Sequence, residues 1–202
     1  MGRKLKKTVR RLMMAFLFFA LSLCLFLWFL GHQSTPKPIQ PLEMEIPKEY
    51  IPVYKAAEEK YKVPWQLLAA HHRVETKFST MDPMLSPAGA EGPMQFMPCT
   101  FVGWSHPSCE GLGKGNIPEN DKTNPAVIKK YGGYGVDANG DGKADPYDLW
   151  DAVFSAANYL ARNGAADGDW KRAVYAYNHS NEYVEDVLYF ANVFSEDQDK
   201  YE

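Results

Sequence analysis

Apolar and polar positions fall into two regimes along this chain. From 12 to 30 nearly every side chain is apolar, with only Ser22 and Cys24 as mild interruptions. Beyond residue 47 the apolar residues recur at helical intervals instead. Within 63–78, Leu67, Leu68, His71, Val74 and Glu75 are spaced three or four apart, so an acid stands on or near the face turned inward. Pro64 suits the first turn of that helix. The same reading predicts helices over 50–61, from just after Pro98, and over 148–162, where Asn163-Gly164 gives a stop signal. Two more are expected over 170–177 and 181–194, broken at Asn178-His179-Ser180. The segment 81–97, rich in Pro and Gly, should be irregular, and 104–135 reads as loop with one helical turn near 126–130. Few stretches alternate as a strand would, and there are no internal repeats. The expected class is therefore mostly α, with long loops lining a cleft.

The first regime has its own geometry. Nineteen residues from 12 to 30 make roughly 28 Å of helix, close to the thickness of a bilayer core. Arg3, Lys4, Lys6, Lys7, Arg10 and Arg11 precede it, which fits a cytoplasmic N-terminus with the bulk of the chain outside. The expected organisation is a basic arm over 1–11, a single-pass transmembrane signal-anchor over 12–30, and a stalk over 31–46 carrying Pro36, Pro38 and Pro41. One folded domain follows over 47–195, with a short tail over 196–202. The rival reading is a cleaved signal peptide and a secreted product. Such a peptide should end in small residues, whereas this run ends Phe29-Leu30-Gly31-His32-Gln33.

Composition adds exclusions. In 202 residues, 46% apolar and 14% aromatic content is enough to bury one core. The formal charge of -3 hides an asymmetry. Beyond the six basic residues of the arm, 16 basic residues face 25 acidic ones, about -9 in all. An acidic body argues against nucleic acid as a partner, since phosphate contacts need clustered Lys and Arg. Cys24 lies within the apolar run, while Cys99 and Cys109 would lie outside the membrane. Bridged there, they would contribute roughly 2.5–3 kcal/mol by chain entropy, the alternative being two unpaired thiols.

Glu75 is the first candidate for chemistry. A carboxylate turned toward a helical core is costly unless paired, protonated or useful. A glycan-cleaving acid needs a proton held at neutral pH by an apolar setting. Taken alone, Glu75 reads as an ordinary helix acid, paired with Arg73 or Lys77. It is followed by the run Gly89-Ala90-Glu91-Gly92-Pro93-Met94-Gln95-Phe96-Met97-Pro98, in which glycine permits close backbone approach and Gln95 offers donors and acceptors for sugar groups. Later comes Ala176-Tyr177-Asn178.

With Arg73-Val74-Glu75-Thr76, this ordered set resembles the soluble lytic transglycosylase domain of the lysozyme-like superfamily, over about 50–194. The resemblance implies a lysozyme-like α domain acting on peptidoglycan glycan strands. It implies that Glu75 is the single catalytic acid/base, with Thr76 standing where the family has Ser. It also implies that Met94, Gln95 and Phe96 line a saccharide cleft that Tyr177 and Asn178 close over. The expected activity is cleavage of the MurNAc–GlcNAc bond with a 1,6-anhydro end, without a cofactor for catalysis. Hydrolysis, as in a muramidase, and a non-catalytic wall-binding module are the alternatives. Ordinary glycosidases use two carboxylates, and only Asp82 and Glu91, both in loops, offer themselves as a second.

A separate constellation runs from Asp137 to Asp148. Asp137, Asn139, Asp141, Asp145 and Asp148 occupy positions 1, 3, 5, 9 and 12 of a twelve-residue calcium loop. Gly142 stands at position 6 and Lys143 contributes its carbonyl at position 7. Asp148 in place of Glu and the glycine-rich approach at 131–135 weaken the match. The alternative is a solvated Asx turn. The stretch resembles a loop in membrane-bound lytic transglycosylases of the B type, which implies a structural calcium ion. His71 and His72 lack the zinc-protease order His-Glu-x-x-His.

Overall fold

A computed structural model describes residues 45–201. The basic arm, the apolar run and all of the stalk except Glu45 and Ile46 lie outside the described residues. Among the described residues no helix is long and apolar enough to cross a membrane.

The fold is mostly α. The helices are α1 (Ile51–Tyr61), α2 (Trp65–Thr76), α3 (Pro98–Val102), α4 (Glu119–Lys122), α5 (Pro125–Tyr131), α6 (Leu149–Arg162), α7 (Trp170–Tyr177) and α8 (Asn181–Glu196). Short 3-10 turns lie at Lys48–Tyr50, Ala165–Asp167 and Gln198–Lys200. Among the described residues there is no strand, only the isolated bridges Leu85 to Glu91 and Glu91 to Phe96. The starts are marked by local chemistry. Proline occupies the first turn of α1, α3 and α5. The side chains of Asn124, Asp148, Asp169 and Ser180 cap α5, α6, α7 and α8 by accepting backbone N–H groups.

Helix α2 is the central element. It packs against α8 above all, and also against α1 and α6. Leu67, Leu68, Ala69, Ala70, His71 and His72 all have no exposure. The amphipathic stripe thus understates its burial, because neighbours cover it on several sides. It is also shorter than the predicted 63–78. Lys77, Phe78 and Ser79 take left-handed φ values of 49°, 60° and 62°, which no α-helix can continue through. Lys77 N–H bonds Arg73 O at 2.9 Å, and Ser79 N–H bonds Thr76 Oγ1 at 3.1 Å, so the strained turn is tied back to the helix end.

The segment 104–135 holds two short helices, α4 and α5, rather than one turn. Cys99 and Cys109 form the expected disulfide, with Cα atoms 5.6 Å apart. Tyr201, in the stretch set apart as a tail, is buried against Trp65 with ring centroids 5.8 Å apart. Its hydroxyl accepts from Ile46 N–H at 3.3 Å, so both ends of the described chain are pinned together.

Candidate active site

Glu75 sits one residue before the end of α2, partly buried. Tyr183 on α8 donates its hydroxyl to Glu75 Oε1 at 2.5 Å. Burial pushes the Glu75 carboxyl up to about 7, and the Tyr183 hydrogen bond works against that rise without cancelling it. The group is therefore poised to give and take a proton near neutrality. Burial and the nearby Glu75 charge hold the Tyr177 and Tyr183 hydroxyls well above the usual phenol range, so both stay protonated.

Behind the carboxyl lies an aromatic wall. His71 Nδ1 is 3.0 Å from the Tyr183 hydroxyl, and its ring lies 5.0 Å from that of Tyr177. His72 is held between Tyr54 Oη at 2.6 Å and Ser79 Oγ at 2.7 Å. Burial drives both imidazoles down to about 3, so each is a neutral core group.

The glycine-containing run is bound to this framework by its backbone. Thr76 Oγ1 donates to Pro93 O at 2.8 Å, and Tyr177 Oη donates to Met94 O at 2.7 Å. The two flanks of the run join where Glu91 and Phe96 exchange N–H to O bonds, both 2.9 Å. Gln95 lies at the tip with φ 50°, a left-handed setting unusual for a non-glycine residue, and its Nε2 donates to Gly92 O at 2.8 Å. Gly92 has φ +76°, and a Cβ there would lie 1.7 Å from Pro146 O. Only glycine lets the run pass flush against the end of the acidic loop.

Thr76 meets the run at Pro93, Tyr177 meets it at Met94 and Phe96, and the Glu75 charge reaches Tyr177, so α2, the irregular run and α7 converge. Their roles differ. Met94 is fully buried, so what it offers Tyr177 is its carbonyl. Phe96 packs edge-on against Tyr177 at 5.5 Å. A hollow of about 240 Å³ opens beside them, lined by Gln95, Phe96, Tyr177, Tyr159, Trp104 and His179 among others. Glu75 is not in its lining, whereas Tyr177, which feels the Glu75 charge, is. Asn178 is exposed where α7 ends. Of the two loop acids, Asp82 is exposed, and Glu91 is ion-paired with Lys122 at 2.8 Å. Neither is among the groups that shift the Glu75 carboxyl.

Tyr183 was not among the residues singled out from the sequence. Its signal was present: α8 carries Tyr183, Val184 and Val187 on one inward face, and a tyrosine there needs a polar partner.

The acidic loop is shaped by its own side chains. Asp137 Oδ1 and Oδ2 accept from Gly140 and Gly142 N–H at 2.8 and 2.9 Å. Asn139 and Asp141 accept from Asp141 and Lys143 N–H, both at 2.9 Å, and Asp145 accepts from Tyr147 N–H at 2.8 Å. Asp148 caps α6. The group that ties the loop down is Asp151, which the sequence reading passed over. It is fully buried and accepts from Ala138, Asn139 and Asp145 N–H at 2.7, 3.3 and 2.8 Å. The donor set suits a hard, oxygen-loving cation. Among the described residues, however, no three His, Cys, Asp or Glu side chains converge as a metal-holding group.

No family model, no curated protein and no solved structure matches this chain.

Proposed function

We propose that this chain is a peptidoglycan lytic transglycosylase of lysozyme-like fold, with Glu75 as its acid/base. The observation that supports the reading most is a single carboxyl at the end of the central helix, raised to about 7 by burial and gripped through one oxygen by Tyr183. A carboxyl with that value is protonated often enough to act as an acid and ionised often enough to act as a base. The lone-acid arrangement favours the intramolecular reaction over the two-carboxylate one. Glu75 protonates the glycosidic oxygen as the bond to C1 breaks. The muramoyl C6 hydroxyl attacks C1, and Glu75 takes back the C6 hydroxyl proton, closing a 1,6-anhydro ring. No water is consumed, and the acid ends in its starting state. The Gln95 amide and the polar backbone of the run, in their fixed left-handed turn, are suited to bind acetamido groups and developing charge.

In the same reading the run over 12–30 anchors the chain, with the folded domain outside the cytoplasm and the wall as its substrate. The loop from Asp137 to Asp148 takes calcium as a structural ion through Asp137, Asn139, Asp141, Lys143 O, Asp145 and Asp148, fastening the loop to α6. The ion has no part in bond cleavage.

The direct test is a zymogram on purified wall material with the full chain. The wild type is expected to clear the wall. Glu75→Gln, which keeps the shape but cannot shuttle a proton, is expected to fold and to lose activity by about a thousandfold or more. Clearing by a folded Glu75→Gln protein removes the assignment. An inert wild type leaves the binding module as the reading.

A further inference from the structure

His71 and Tyr183 act on Glu75 as a pair, an inference that rests on reading Glu75 as the acid of the site. An ionised carboxylate only accepts hydrogen bonds. At 2.5 Å, the one hydroxyl proton of Tyr183 must therefore point to Glu75 Oε1. The Tyr183 oxygen is then left as an acceptor for its other neighbour, His71 Nδ1, at 3.0 Å. A neutral imidazole carries one proton, so that proton lies on Nδ1 and Nε2 is bare. His71 Nε2 is buried without a hydrogen-bond partner, so nothing at that nitrogen holds a proton there. An unpaired buried polar atom costs stability, and a leucine would fill an apolar helix face without that cost. The imidazole supplies something a leucine cannot, an N–H fixed at the back of Tyr183.

We propose that His71 is a positioning residue, orienting the Tyr183 hydroxyl toward Glu75 Oε1 and thereby keeping the acidic proton of Glu75 on Oε2. Once Oε1 accepts the Tyr183 hydroxyl, a protonated Glu75 favours carrying its proton on the other oxygen, since a carbonyl-type oxygen is the better acceptor. Without the His71 N–H, the Tyr183 oxygen is free to accept. The Glu75 proton then settles on Oε1, inside the bond to Tyr183, and is withheld from a leaving group. Losing the bond that Tyr183 donates also removes the influence that lowers the Glu75 carboxyl. The groups facing this chain are few. Tyr177 from α7 stands beside His71, and both tyrosines stay protonated. His72, next along α2, is turned to Tyr54 and Ser79. His71 itself, neutral by burial, does not titrate near neutrality.

The test uses the full chain in detergent, labelled with carboxyl-13C glutamate, with the Glu75 signal assigned by its loss in Glu75→Gln. His71→Leu is expected to raise the Glu75 titration midpoint by about half a pH unit or more. It should also lower wall cleavage at neutral pH by about tenfold. His71→Asn places an amide N–H near the position of Nδ1 and should restore both. In a Tyr183→Phe background, His71→Leu should shift the midpoint no further, a result that a merely structural histidine would not give. If His71→Leu does not fold, the comparison passes to His71→Asn, expected to keep the wild-type midpoint, and Tyr183→Phe, expected to raise it. A folded His71→Leu with an unmoved midpoint overturns the proposal, as do equal midpoints in the Asn and Phe variants. The two readings fail separately. A shifted midpoint in a chain that never cleaves wall keeps the positioning role and removes the reaction. Cleavage with an unmoved midpoint does the reverse.

Discussion

The helices that carry Glu75 and the segment between α3 and α6 keep their shapes by different means. Around α2 the means is side-chain packing: Leu67, Leu68, Ala69 and Ala70 have no exposure among α8, α1 and α6, and His72, Thr76 and the Nδ1 of His71 are tied to partners. From 104 to 148 the described helices are short and few residues are buried, Ile128 and Ala144 among them. There the chain is held by the Cys99 to Cys109 bridge, by backbone bonds such as Cys99 N–H to Gly113 O at 2.8 Å, and by carboxylates that collect N–H groups. The difference teaches where chemistry and stability separate. A carboxyl becomes useful as an acid only where packing removes water. A loop with little core is fastened here by a cross-link and by hydrogen bonds to backbone N–H groups instead. Gly92 against Pro146 is where the two meet.

Three measurements sharpen or break that comparison. The largest stability effect is expected from the bridge. Replacing Cys99 and Cys109 by Ser removes roughly 2.5–3 kcal/mol of chain-entropy stabilisation. For a domain of this size that is a melting-point loss of about 5–12 °C by calorimetry. The Glu75 carboxyl should stay at its raised value in that variant. An unchanged melting point would mean that the helical packing already holds the segment.

Calcium comes next. Millimolar calcium at about 100 times its Kd would stabilise by about 2.7 kcal/mol, several degrees in a thermal melt, with much less from magnesium. Asp137→Ala or Asp141→Ala should abolish the shift, and Glu75→Gln should keep it. Superimposable melts in calcium and in chelator leave the loop as an acidic turn fastened without an ion, by Asp151 and by backbone bonds such as Ala144 N–H to Thr123 O.

The smallest effect lies on the helical side. The folded Glu75 carboxyl titrates above its unfolded value of 4.5. Its contribution is thus fully present below the unfolded value and is lost as pH rises through about 7. Glu75→Gln removes that loss. The variant should gain about 2 kcal/mol on the wild type between pH 5 and pH 8, read as a widening gap in melting temperature. His71 and His72, held neutral, weaken the fold on the acid side of their unfolded value in both proteins and cancel from the difference. A gap that does not change with pH would mean that Glu75 is well solvated and no acid at neutrality.

What the sequence revealed follows the same division. Helical spacing placed α2, α6, α7 and α8 to within a few residues and set Glu75 on the inward side, because packing leaves a period in the sequence. The end of α2 was missed, since three successive left-handed residues leave no pattern when none is glycine. Asp151 and Tyr183 were passed over for a related reason. Each is one polar residue on an otherwise apolar helix face, and its partners come from elements distant along the chain or from backbone N–H groups. The carboxylates of the acidic loop were legible as a spacing, whereas their hydrogen bonding to the loop's own backbone was not.

The central claim is that one partly buried acid breaks a glycan bond without water. Mass spectrometry of wall fragments released by the full chain tests it most directly. The account predicts muramoyl ends lighter than hydrolysed ends by one water, with no such fragments from Glu75→Gln. Fragments carrying the added water would contradict it and make the enzyme a hydrolase.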